Sequence, residues 1–294
     1  MESTILKPRR PWLAALLSLS GCPLGQIYAG RFYRSIVLWA VGAILLPVLA
    51  FATISLPLGR IGLSILVLCM VGFPLYLTVD AYVMARRHRD DPLASYQRWW
   101  VYLLAFIAFA IANNVVAYGV RSFIAEACVV PTRAMSPTIL AGDCILVDKL
   151  WCQPNRLQRY DIVVFRSAGS DSPLVVMRLI GLPGDRIEIA DEKVLLNGEK
   201  YPDPHGVVDA DLPSHPELTN AEPILIPPGS FFVLGDNRRL AKDSRILGPI
   251  PMADLHGKAC MIYWSNERRF PAPWSTSYYE TGPIRWARIG TRLD

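Results

Sequence analysis

The chain has 294 residues, 52% of them hydrophobic and 19% charged, with a formal net charge of +5. That balance is too apolar for an ordinary soluble protein of this size and predicts a membrane part joined to a soluble part. The positive charge lies mostly beside apolar segments, and no Lys/Arg run resembles a nucleic-acid arm, so the charge reads as topology information and no nucleic-acid partner is expected.

Residues 11–19 are apolar but too short to cross a bilayer, and Gly21, Pro23 and Gly25 break any continuation of the run. Residues 1–34 are therefore expected to form an interfacial or re-entrant segment. A cleavable signal peptide is the rival reading, but the run lacks a small-residue cleavage site of convincing form after it. Three later runs, roughly residues 35–58, 61–85 and 99–120, reach the about 20 residues that a spanning helix needs. They predict three transmembrane helices within residues 35–121. Lys7, Arg9, Arg10, Arg31 and Arg34 precede the first span, and Arg86, Arg87, Arg89 and Arg98 lie between the second and third, against Arg60 alone between the first and second. Basic ends face the cytoplasm. The expectation is a multi-pass protein of the inner (cytoplasmic) membrane, in contact with membrane lipid, whose residues 122–294 face the periplasm or extracytoplasmic side. Asp80 and the pair Asn113–Asn114 are read as helix–helix hydrogen-bonding groups, with a functional role as the alternative.

Beyond about Cys128 the texture changes. Short runs such as "CILVDKL", "DIVVFR", "LVVMRLIGL", "RIEIA", "KVLLNGE", "SFFVLGD" and "ACMIYW" alternate with Gly, Pro and Asp. They predict strands of an antiparallel β domain. In "LNGEK", Asn197-Gly198 suits a two-residue hairpin turn. Residues 201–223 are polar and unpatterned and are expected to form an external loop. Cys22, Cys69, Cys128, Cys144, Cys152 and Cys260 lack CxxC spacing and histidine partners. They read as small buried hydrophobes, with a disulfide open if this half meets an oxidising compartment; no metal site and no cofactor are expected.

Several segments carry a family likeness. "VPTRAMSPTILAGDCILVDK", "YDIVVFR" followed by "VVMRLIGLPGDRI", "LGDNRRLAKDSRILGPIP" and the terminal "IRWARIG" resemble, in that order, the boxes of bacterial type I signal peptidases, the S26-like peptidases. The resemblance covers roughly residues 123–290. It implies a membrane-anchored, mainly β protein: transmembrane helices followed by an antiparallel β-sheet signal-peptidase-like domain. The family cleaves signal peptides from exported preproteins by a serine/lysine dyad. A serine hydroxyl needs an adjacent base to attack, and a lysine serves as that base only when burial keeps it neutral.

The positions that match the dyad hold other residues. The nucleophile position, before Met135, is Ala134; the general-base position, before Arg178, is Met177; the orienting-serine position is Ala241. Thr132 keeps the hydroxyl of the oxyanion site. The resemblance assigns Val130, Met135, Ile139, Ile145, Val175 and Val176 to the substrate groove. Structural roles fall to Asp236, Asn237, Arg238, Asp243, Ser244 and Arg245, with an Asp243–Arg245 pair holding loops. Gly181, Pro183, Gly184 and Asp185 match a tight turn. Ser136 and Lys149 are weak substitutes: Ser136 in an extended segment would sit about 7 Å from the nucleophile position, and Lys149 is expected to be solvated. His88, His205, His215 and His256 show no triad spacing. The expected function is a catalytically impaired signal-peptidase-like protein that engages exported preproteins or their signal peptides, or an active peptidase paralogue. An active peptidase with displaced catalytic groups and a membrane scaffold or binding protein are the alternatives.

Overall fold

The structure is a computed structural model that describes residues 9–56, 58–91, 96–150, 156–167, 173–209, 211–212, 216–219, 221–269 and 280–293. It divides into two compact units, Met1–Ser122 and Phe123–Asp294.

The first unit is helical. Two short helices, α1 (Pro11–Ser18) and α2 (Leu24–Tyr28), precede α3 (Phe32–Ser55), α4 (Gly59–Arg87) and α5 (Trp99–Gly119). Among the described residues, three helical stretches are long and apolar enough to cross a membrane: Phe32–Thr53, Gly59–Arg87 and Trp99–Ile124. Pro47 and Pro74 sit inside α3 and α4, which membrane helices tolerate because neighbouring groups satisfy the freed backbone.

The segment before the spans is folded tightly onto α4. Ala14, Ala29, Ala81 and Ala85 form a small buried cluster. A Cβ placed on Gly25 would lie 2.1 Å from the Ala14 carbonyl oxygen and 2.7 Å from the Ala81 Cβ, so only glycine permits this approach. Polar side chains tie the packing. Fully buried Gln26 donates through Nε2 to the Leu77 carbonyl at 2.9 Å and to Asp80 at 3.2 Å, and accepts from the Ser18 hydroxyl at 3.2 Å. Arg34 grips Asp80 with Nε and Nη2 at 3.1 and 2.6 Å. Asn113 accepts from Trp39 Nε1 at 3.0 Å. Asp80 and Asn113 thus bond between helices within the chain.

The second unit is antiparallel β. Its strands are β1 (Ala125–Val129), β2 (Asp143–Asp148), β3 (Ile162–Arg166), β4 (Leu174–Gly181), β5 (Arg186–Ala190), β6 (Lys193–Leu196), β7 (Glu199–Lys200), β8 (Ala221–Leu225), β9 (Ser230–Leu234), β10 (Ile250–Pro251), β11 (Leu255–Arg269), β12 (Glu280–Ile284) and β13 (Thr291–Arg292). Two short helices, α6 (Pro216–Thr219) and α7 (Ser244–Leu247), lie among them. The larger sheet runs β1-β2-β11-β3-β4-β9-β10, with β12 and β13 also paired to β11; the smaller runs β7-β6-β5-β8. The 15-residue β11 is the common partner of β2, β3, β12 and β13. β2 alternates buried and half-buried side chains, as a strand with one face on the core must. In the β6–β7 turn, Asn197 and Gly198 take φ of 55° and 87°, the left-handed pair that a primed hairpin turn requires.

Residues 201–223 are more than a loop. Val207 bridges in parallel to Asn237, α6 forms from Pro216, and β8 begins at Ala221. Paired backbone satisfies groups that an unpatterned sequence gives no sign of satisfying.

Gly25→Ala should destabilise the helical unit by about 1–3 kcal/mol through overpacking. Thermal unfolding of the purified protein in detergent tests this; an unchanged transition would count against the tight α1–α2–α4 packing.

Candidate functional site

The loop between β1 and β2 carries the first set of candidates. Its base is closed by Val130 N–H on the Asp143 carbonyl (2.8 Å) and Gly142 N–H on the Val130 carbonyl (2.9 Å). Its tip is a turn: Ser136 N–H bonds the Arg133 carbonyl at 3.1 Å and Ile139 N–H the Met135 carbonyl at 2.9 Å. Ser136 therefore does not lie in an extended segment, and the strand spacing expected for it does not apply. Met135 and Ile139 anchor the turn by inserting into the core of the larger sheet.

Asp143 holds the loop's far end. It is fully buried and accepts from Leu140 N–H at 2.8 Å, Ser265 Oγ at 2.6 Å, Arg285 Nη2 at 3.2 Å and Arg288 Nη2 at 2.7 Å. The same arginines donate to the Ala141 and Thr138 carbonyls at 2.7 Å each. Two guanidiniums offset the cost of burying one carboxylate.

Three segments converge on Gly235. Asn237 N–H donates to the Ala134 carbonyl at 3.0 Å. A Cβ on Gly235 would meet the Ala241 Cβ at 2.2 Å and the Ala134 carbonyl oxygen at 2.7 Å. On β4, Arg178 is the register partner of Leu234 on β9, so Met177 and Gly235 flank that pair. The Arg178 guanidinium, 1% exposed, binds fully buried Asp236 through Nε at 2.8 Å and Nη2 at 2.7 Å, and its Nη1 donates to the Tyr160 carbonyl at 2.8 Å. The pairing of Arg178 with Asp236 is not legible in the sequence, since 58 residues separate them.

The rest of the box is equally constrained. Asp243 caps α7, accepts from Gly235 N–H at 3.0 Å and pairs with Arg245 at 2.8 Å. Ser244 Oγ accepts from Val233 N–H at 3.1 Å. Arg238 reaches the Gly235 carbonyl at 3.0 Å and pairs with Asp203. Asp185, in the turn with Gly181, Pro183 and Gly184, accepts from Leu182 N–H at 2.7 Å and pairs with Arg159. Tyr160 adopts φ of 75°, strained for a bulky residue; its OH donates to the Pro202 carbonyl at 2.6 Å and its ring stacks on Tyr201.

Ala134 and Ala241 carry no attacking or donating atom, and Met177, 3% exposed, offers a thioether that takes up no proton at ordinary pH. Thr132 is exposed. Val130, Met135, Ile139 and Ile145 are buried in the core, whereas Val175 and Val176 are half-buried. Among the described residues no group of three or more His, Cys, Asp or Glu could hold a metal ion.

The remaining candidates sit elsewhere. Lys149 is not solvated: it pairs with Glu126 at 2.7 Å, and His256 bonds the same carboxylate at 2.8 Å. Burial alone would raise the Glu126 pKa, but hydrogen bonds and charge from Lys149 and His256 outweigh it and hold the group at about 2. His205 lies edge-on to Tyr160 at 5.8 Å. His88 bonds Arg31 and Asp91 at 2.9 and 2.8 Å. Cys22, Cys69 and Cys260 are free thiols, and burial pushes the Cys260 thiol up to about 11. Cys152 and His215 lie outside the described residues.

A family model for signal peptidase, peptidase S26, matches residues 99–264. This chain belongs to the signal peptidase S26 family. Signal peptidase I of Leptolyngbya laminosa is 32% identical over 161 residues, spanning 52% of this chain and 76% of that protein. Signal peptidase I of Bacillus caldolyticus is 34% identical over 151 residues, spanning 49% and 82%. Signal peptidase IB of Staphylococcus aureus is 30% identical over 173 residues, spanning 55% and 90%. A solved signal peptidase I from Enterococcus faecalis shares 32% identity over 35% of this chain and 95% of its own, with a TM-score of 0.29. The matched residues of the family model begin at α5, so α1 to α4 lie outside them.

Arg178→Met should cost about 3–5 kcal/mol by stranding a buried carboxylate, and adding Asp236→Leu should recover most of it. Chemical denaturation of the three proteins checks this; an additive double mutant would contradict the pairing. For Glu126, the folded value lies below the ordinary 4.5 of a free glutamate, so its stabilisation is complete above about pH 4.5 and is lost as pH falls towards about 2. The Tm difference between the wild-type protein and Glu126→Gln should shrink over that window; a constant difference would refute the coupling.

Proposed function

We propose that this member of the signal peptidase family engages exported segments at the membrane without cleaving them. The convergence of Ala134, Met177 and Ala241 around Gly235 supports this reading. Peptide hydrolysis by this family's chemistry needs an oxygen nucleophile, a proton acceptor beside it and donors for the developing oxyanion. The first two have no atoms at these positions. In a serine hydrolase, removing such members leaves roughly 10³–10⁴-fold acceleration over water from donors and binding alone, far below a useful peptidase.

The substitutions are mutually consistent. A lysine in the Met177 slot would carry a desolvation cost and, beside Ala134, would have no hydroxyl to activate. Methionine fills a similar length of apolar space at no such cost. The partner is an exported preprotein, its signal peptide, or an active family member. The basic flanks of the helices support a β unit on the extracytoplasmic side.

The purified wild-type protein should bind a preprotein and release no cleaved product over hours. Ala134→Ser with Met177→Lys should gain time-dependent cleavage at least about 10²-fold above background, the scale on which positioned acid–base groups act. Specific cleavage by the wild-type protein, lost in Thr132→Val or Ser136→Ala, would replace this reading with that of a peptidase using displaced groups.

A further inference from the structure

We propose that α5 pairs with α5 of a second copy of this chain inside the bilayer, through Asn114. One side of α5 is already occupied. Asn113 takes the hydrogen bond from Trp39, Phe109 stacks on Trp39 at 5.9 Å, and Ala105 packs on the cluster of Cys22, Leu24 and Ile27. No residue of α5 is buried.

The other side carries a groove that includes Phe106, Ala110, Asn114 and Tyr118 along one edge and Ile107 and Ile111 along the other. Both edges repeat every four residues, the geometry into which a ridge of a neighbouring helix fits. Ala110 is the small residue that lets a second backbone come close.

Asn114 decides what fits there. Its Nδ2 donates to the Ala110 carbonyl at 2.8 Å, its Oδ1 has no hydrogen bond among the described residues, and the side chain is exposed. Asn114 stands seven residues before Arg121, the first charged residue after α5. At 1.5 Å per residue that is about 10 Å, inside a hydrocarbon core about 30 Å thick. Lipid tails offer no donor at that depth, and neither does an apolar exported segment. A second copy does, because the same anchors hold its own Asn114 at the same level and an amide is complementary to itself. The closed arrangement is a two-fold pair in which each amide donates to and accepts from the other.

Full chains labelled with donor or acceptor dyes and reconstituted in phosphatidylcholine vesicles test this. Asn114→Leu should weaken association about three- to thirty-fold, and Asn114→Gln, which keeps the amide, should restore it. In a chain whose six native cysteines are replaced by serine, Ile111→Cys should crosslink into a dimer on mild oxidation and Ala105→Cys should not. Equal association of the wild-type protein and Asn114→Leu overturns the proposal, as does equal crosslinking by Ile111→Cys and Ala105→Cys. Crosslinking of Ile111→Cys only to an added single-cysteine preprotein assigns the groove to an exported segment and overturns it equally.

Discussion

Arg178 and Asp236 meet in the core of the β unit, and neither could remain charged there alone. Moving one such ion out of water costs several kcal/mol, and the pair recovers this because two short parallel bonds and a third to the Tyr160 carbonyl use most of the guanidinium. The interaction fixes β4 against the segment after β9. Since Met177 precedes Arg178 and Gly235 precedes Asp236, this pair also sets the position of Met177 relative to Gly235. These contacts do not depend on the side chains of Ala134, Met177 or Ala241.

That independence explains the site's appearance. Asn237 still holds the Ala134 carbonyl, Asp243 still caps α7 and binds Arg245, and Ser244 still receives Val233 N–H. These contacts use backbone groups and ion pairs and none of the side chains of Ala134, Met177 and Ala241. A Cβ at position 235 would collide with the Ala241 Cβ and the Ala134 carbonyl oxygen, so glycine is required there. The molecule keeps the architecture of its family while holding no group at Ala134 or Met177 that can transfer a proton.

Much of the fold was legible because period and turn chemistry are local. The alternation in "CILVDK", the Asn197–Gly198 turn and the length of the apolar runs each depend only on neighbours in sequence. The Ala134, Met177 and Ala241 positions were legible only through the family's boxes. What escaped depends on distant partners. Lys149, expected to be solvated, shares the Glu126 carboxylate with His256, which lies 130 residues beyond Glu126. Ser136 belongs to a turn that core contacts of Met135 and Ile139 impose. The bridge at Val207 depends on Asn237, and the packing at Gly25 on α4. Nothing local announces any of these.

Asp143 is separated from Arg285 by 142 residues and from Arg288 by 145. The loop that presents Ala134 is consequently secured by a stretch that leaves the ribosome long after it. Until that stretch is made, the Asp143 carboxylate lacks the two guanidiniums that offset its burial.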